Sequence, residues 1–200
     1  MKENWVDTDL KYIWHPCSQM KDYETLKPIV IERGEGSMLY DVDGKEYIDI
    51  ISSWWCNLLG HCNPRINEAI KKQLDTLEHV IFANLSHKPA ITLAQRLSKL
   101  VPKGLAKFHF NDNGSGAVEA ALKMAFQYQY QTGHPERQKF MCLSEGYHGE
   151  TIGALSVGSM DLFAKIYQLM LMETVHTAAP DCYRCPCGQQ RDTCRCECFE

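Results

Sequence analysis

The stretch "NDNGSGAVEAALKMA", Asn111–Ala125, decides how this chain is read. It begins polar and glycine-rich and then turns apolar at helical spacing, so it marks the start of a helix. The first backbone N–H groups of a helix have no internal partner and carry the positive end of its dipole. Gly114 and Gly116 let a ligand approach the backbone closely, and Ser115 adds a hydroxyl donor, so a phosphate fits there. The same residues also read as a plain cap, with Asn113 or Ser115 as N-cap and Glu119 as a favourable charge in the first turns. The stretch lacks the Walker lysine and the G-x-G-x-x-G spacing, which excludes a P-loop or a dinucleotide fingerprint. Taken alone, the stretch leaves both readings standing.

Working outward, "LAKFHFND" before it predicts a short strand, and the helix is expected from Ala117 to Gln131. "RQKFMCLSEGYHG" reads as strand then loop, and "MDLFAKIYQLM" as a further helix. Upstream, Pro64 opens a helix over "PRINEAIKKQLDTLEHV", and prolines bracket another over "PAITLAQRLSKLVP". Helix and strand therefore alternate from Asn63 onward, the pattern of an α/β domain with a mostly parallel sheet. Residues 1–60 differ. "GSMLYDVDGKEYIDI" predicts a β-hairpin, with Met38, Tyr40 and Val42 before a tight primed turn at Asp43-Gly44 and Tyr47 and Ile50 after it. "SSWWCNLLGHCNP" follows as a loop. These residues read as part of a smaller α+β lobe, and residues 61–200 as the start of a large domain. The strands are too few for a complete sheet of this kind, so an N-terminal portion of a longer protein is expected.

Composition narrows the function classes. Of 200 residues, 44% are hydrophobic and 23% charged, which is globular. The net charge of -4 comes without a run of Lys and Arg, so no nucleic-acid partner is expected. No apolar stretch approaches about 18 residues, so no membrane partner is expected either. The N-terminus lacks the apolar segment of a signal peptide, and the expected compartment is the cytoplasm. Ten cysteines do not make a disulfide framework here. Cys17, Cys56, Cys62 and Cys142 are scattered, and six lie between Cys182 and Cys198. The Cys-x-x-Cys and Cys-x-Cys spacings of those six suit thiolate ligation of one metal ion, but they equally suit a surface insertion with free thiols. No residue is assigned as a metal ligand.

Four separated stretches converge: "YIWHPCSQM", "DVDGKEYIDIISSWW", "NDNGSGAVEAALKMAFQY" and "GYHGETIGALSVGS". Their order and distances resemble the class III aminotransferases that use pyridoxal phosphate. Within that class they are most similar to the branch that acts on 8-amino-7-oxononanoate in biotin synthesis. The resemblance covers roughly Tyr12 to Gly158. It implies fold type I, with a large domain around a mostly parallel sheet and a small domain holding both chain ends, and a homodimer with active sites at the subunit interface.

The resemblance also implies site residues. Gly114 and Ser115 match the seat of the phosphate group of pyridoxal 5'-phosphate. Tyr147 matches the aromatic that packs on the cofactor ring and borders the substrate, with His148 and Gly149 completing its loop. Trp54 matches the substrate-contacting tryptophan, a wall for an aliphatic chain. Trp14, His15 and Pro16 match an N-terminal signature of structural role. Cys17 departs from the pattern, because an aromatic that contacts substrate is usual there and cysteine lacks its reach. The amino donor implied is S-adenosylmethionine, with lysine as the alternative. Other class III ω-aminotransferases, and a metal-binding module built on the cysteine cluster, are the rival readings. The catalytic lysine of the class lies beyond residue 200 in this pattern, so no catalytic residue is assigned, and residues 1–200 alone are expected to be inactive.

Overall fold

A computed structural model describes residues 4–159 and 161–199. Its elements fall into two compact units, Met1–Ile91 and Thr92–Glu200.

The first unit starts with α1, Trp5–Tyr12, capped by the Asn4 side chain, which accepts from the Asp7 N–H. A three-stranded antiparallel sheet follows in the order β1 (Ile31–Glu35), β2 (Met38–Asp41), β3 (Glu46–Ile48). Leu39 sits opposite Gly34 on one side and Tyr47 on the other. The expected hairpin is thus present, joined by an unforeseen strand β1, whose "IERGE" has too few apolar residues to signal one. The turn differs from the one expected. Asp43 keeps a negative φ and only Gly44 is left-handed, at φ +82°. The Asp41 carboxylate accepts from the N–H groups of both Asp43 and Lys45, so it stabilises a wider loop than a primed two-residue turn.

Ser52–Trp55, expected as loop, closes into a single helical turn, α2, of the wrong hand. Its four residues have φ of 49°, 47°, 64° and 67°. Left-handed backbone costs L-residues roughly 1–2 kcal/mol each, so a run of four without glycine needs external support. α3 (Pro64–Leu74) has Pro64 in its first turn and Asn63 as cap, the side chain accepting from the Arg65 and Ile66 N–H groups. It ends six residues short of the expected span, at an Asp75 C-cap. α4 (Lys88–Leu97) spans the division between the units.

In the second unit, α5 runs over Gly114–Gln131, three residues longer at its start than expected. β4 (Met141–Leu143) pairs in parallel with β5 (Val175–Thr177), Cys142 opposite His176. Parallel strands need a crossover, and α6 (Ile152–Ser156) and α7 (Asp161–Ala164) lie on it, followed by a 3-10 turn over Lys165–Met170. The helix expected over "MDLFAKIYQLM" is therefore broken in two, and its Met160 lies outside the described residues. "LAKFHFND" forms no strand among the described residues. Its alternating Phe108 and Phe110 suit an extended chain, but extended backbone becomes a strand only when a neighbour takes its N–H and C=O groups.

Among the described residues the buried ones are few: Cys142, Gly149, Gly153, Ala154, Leu155, Ser156 and Val157, most of them on α6. Apolar residues on α3, such as Ile70 and Leu74, remain more than half exposed. These residues do not close a core by themselves. Among the described residues, no helix is long and apolar enough to cross a membrane.

Candidate functional site

The N-terminus of α5 shows how the cap and anion readings coexist. Asn113, in extended backbone, accepts the Gly116 N–H on Oδ1 at 2.7 Å, and its carbonyl accepts from the Ala117 N–H. That satisfies the third and fourth helical N–H groups. The Gly114 and Ser115 N–H groups take no partner among the described residues and stay available at the positive end of an eighteen-residue helix. A Cβ at Gly116 would meet Asp112 Oδ1 at 3.1 Å and Oδ1 of the capping Asn113 at 3.4 Å.

The loop carrying Tyr147 comes directly onto this helix start. Gly149, at φ +114°, lies so close to Ser115 that a Cβ on it would overlap the Ser115 hydroxyl and stand 2.8 Å from its Cβ. Only glycine satisfies both that φ and that approach. The loop is anchored at Gly146, which donates its N–H to Ser159 Oγ at 3.2 Å and accepts the Ser159 N–H at 3.0 Å. This pairing accounts for both ends of "GYHGETIGALSVGS". Tyr147 is half exposed, its hydroxyl donates to Glu150 at 3.0 Å, and its ring lies 5.6 Å from that of Phe163. Gly114, Ser115 and the Tyr147–Gly149 loop are therefore brought together, and the arrangement can hold a phosphate with an aromatic ring alongside.

Glu119 is a site residue that sequence reasoning did not assign. One turn into α5, its carboxylate accepts the N–H groups of Gly153 at 2.7 Å and Ala154 at 3.3 Å, at the start of α6. The Thr151 hydroxyl, these N–H groups and the Lys123 charge hold its carboxyl below the usual carboxylate range, against the opposing effect of burial. A Cβ at 153 would overlap the Glu119 carboxylate, so a larger residue there would displace that side chain. Glu119 thus ties the far end of the Tyr147 loop to the helix that carries Gly114 and Ser115.

In the first unit, Trp54 is 64% exposed, on the left-handed turn, with Trp55 edge-on at 6.1 Å. His15 of the N-terminal signature bonds Asp9 at 2.6 Å and packs on Tyr23 at 4.9 Å, which fits a structural role. Cys17 is exposed, at φ 55°. Asp49, likewise unassigned from sequence, receives the Ser53 N–H at 2.9 Å, the Ser53 hydroxyl at 2.7 Å and His61 Nε2 at 2.8 Å. The Ser53 N–H and hydroxyl, with His61, lower its carboxyl to about 2. The sequence signal that could have found it is an aspartate four residues before a serine.

All ten cysteines are free thiols. Cys182, Cys185, Cys194, Cys196 and Cys198 line one cavity of about 60 Å³. Burial and the nearby Cys185 and Cys198 push the Cys187 thiol up, and the neighbouring Cys194 does the same for Cys196. Among the described residues no three His, Cys, Asp or Glu side chains stand as a metal ion requires.

The family described as Aminotransferase class-III matches residues 19–200. A protein of Geobacter sulfurreducens, named adenosylmethionine-8-amino-7-oxononanoate aminotransferase, is 47% identical over 196 residues, 96% of this chain and 43% of its own length. Its namesake from Methanocaldococcus jannaschii is 44% identical over 191 residues, 96% of this chain and 41% of its own. The crystal structure of the Methanocaldococcus jannaschii enzyme superposes with a TM-score of 0.84 at 43% identity, covering 90% of this chain and 41% of that one. An omega transaminase from Pseudomonas jessenii, solved in complex with PMP, gives 0.83 at 32% identity, covering 92% and 41%. The chain spans about two fifths of the length of these relatives.

Proposed function

The chain belongs to the class III aminotransferases, and from that membership we propose that it is part of the pyridoxal-phosphate enzyme that aminates 8-amino-7-oxononanoate to 7,8-diaminononanoate in biotin synthesis. S-adenosylmethionine is the proposed amino donor. The substrate assignment rests on the relatives, which at 41–47% identity carry that name across eight organisms. The cofactor assignment rests on one observation: two N–H groups at the start of α5 that take no partner among the described residues, closed over by a glycine loop that carries an aromatic ring.

The residues present fit the cofactor. Gly114 and Ser115 would hold its phosphate through N–H and hydroxyl donors, and Tyr147 would lie along its ring. When bound, the cofactor supplies an electron sink that lets an amino group pass between two substrates. The chain's own part in this is to bind and orient. The α5 dipole would offset phosphate charge, the Gly146–Ser159 pair fixes the loop, and Glu119 holds that loop to the helix. Trp54 would wall the aliphatic chain of the keto acid. Under this reading residues 1–60 contribute to the small domain and 61–200 to the large one, with a cysteine-rich insertion at 182–198. The protein is a cytoplasmic homodimer, and the lysine that bonds the cofactor lies after residue 200, so residues 1–200 alone form no reducible cofactor adduct.

The test is a donor assay on the full-length protein, with 8-amino-7-oxononanoate as acceptor and diamine formation as readout. Turnover with S-adenosylmethionine is expected. Turnover with lysine alone would reassign the donor, and no diamine with either, alongside turnover of simple ω-amines, would move the protein to another branch of the class.

A further inference from the structure

Among the described residues, the left-handed turn at Ser52–Trp55 takes its outside hydrogen bonds from one residue. Four successive residues without glycine keep φ between 47° and 67°. Such backbone persists only where its surroundings fix it, and it gathers at functional sites. The Trp55 N–H reaches Ile51 O at 2.8 Å and the Asn57 N–H reaches Ser52 O at 3.0 Å, but these are bonds of the turn itself. The outside support is Asp49. Its carbonyl accepts the Ser52 N–H at 3.3 Å, one carboxylate oxygen takes the Ser53 N–H, and the other takes the Ser53 hydroxyl.

Asp49 is itself held. Its side chain is 6% exposed and shares an oxygen with His61 Nε2 at 2.8 Å. His61 pairs its backbone with Gly36 in both directions, at 2.8 and 3.1 Å, which fixes it to the turn between β1 and β2. Gly34 leaves room for the imidazole, since a Cβ there would stand 2.8 Å from its Cγ. A continuous path therefore runs from the sheet through His61 and Asp49 to Ser53, and the next residue is Trp54.

We infer that Asp49, backed by His61, is a positioning residue: it holds the left-handed turn that presents Trp54 to the acceptor, and so sets the preference for a keto acid with a long aliphatic chain. This rests on the reading of Trp54 as a substrate wall. Glycine adopts the left-handed region freely, so a glycine at 53 should lessen the need for the clamp.

The experiment uses the full-length protein and the variants D49A, D49N and D49A/S53G. D49A should raise KM for 8-amino-7-oxononanoate about tenfold or more, as a wall displaced by an ångström would, with cofactor affinity within twofold of wild type. D49A/S53G should recover most of the loss. A second readout needs no activity: circular dichroism of the coupled Trp54–Trp55 pair should collapse in D49A and return in D49A/S53G. If D49A does not fold, D49N is measured in its place, with S53G added to it. An unchanged KM and unchanged tryptophan signal overturn the inference, as does a loss that S53G fails to restore. A wild type that makes no diamine overturns the functional reading instead, and the tryptophan signal then decides the positioning role alone.

Discussion

Replacing Gly149 with alanine tests the meeting of loop and helix at the proposed phosphate seat. Two costs arise together. At φ +114° an L-residue is strained, at about 1–3 kcal/mol. The new Cβ would also stand 2.8 Å from Ser115 Cβ and 3.1 Å from its Cα, so turning the Ser115 hydroxyl aside does not relieve it. Overpacking of this kind costs about 1–3 kcal/mol. Relief requires the loop to lift from the start of α5, which takes Tyr147 with it. If about 3 kcal/mol of this falls on the bound state, cofactor affinity drops roughly 150-fold. The assay is titration of full-length apoprotein with pyridoxal phosphate, followed by tryptophan fluorescence, with the melting temperature measured in parallel. S115G/G149A removes the clash with the serine side chain but leaves the φ strain and the crowding against the helix backbone, so it should recover part of the loss. If G149A binds within threefold of wild type and melts at the same temperature, the loop does not need to approach the helix as described, and the reasoning fails.

Four further outcomes follow from the same geometry. N113A removes the cap that satisfies the Gly116 N–H and should cost about 1 kcal/mol by chemical denaturation, while N113D should stay near wild type. E119A leaves the Gly153 and Ala154 N–H groups without their acceptor and should cost about 2 kcal/mol. Because the folded protein lowers the Glu119 carboxyl, its advantage over E119Q should be full above the ordinary carboxylate value of about 4.3 and fade as pH falls through the lowered value. An advantage that instead grew on acidification would contradict this sign. S115A keeps the backbone donors but loses the hydroxyl, and should weaken pyridoxal phosphate binding about five- to tenfold by the same titration. An unchanged affinity would leave the backbone N–H groups as the whole phosphate contact from α5.

The exposure of the chain bears on how these tests are run. With most of α3 and α5 open to solvent and only seven of the described residues buried, residues 1–200 have little core to report on. Variants are therefore informative in the full-length protein, where a melting transition reflects packing and not the collapse of exposed faces.

What the sequence determined by itself is local. Asn113 before two glycines and an apolar run marked where α5 begins to within three residues, because capping and helical periodicity act within one turn. Pro64 after Asn63 did the same for α3, and the alternation around Asp43-Gly44 placed the hairpin. The class III resemblance picked out Gly114, Ser115, Tyr147 and Trp54 as residues, but not their arrangement. Tertiary structure decided that Gly149 must touch Ser115, far along the chain, and that Glu119 must bridge to Gly153 over a similar separation. No local signal marks such a pair. The hand of Ser52–Trp55 was also beyond the sequence, since L-residues disfavour it and its bonds to Asp49, which His61 backs, come from tertiary structure. "LAKFHFND" shows the converse: an alternating pattern was legible, but a strand depends on backbone partners that local sequence does not supply.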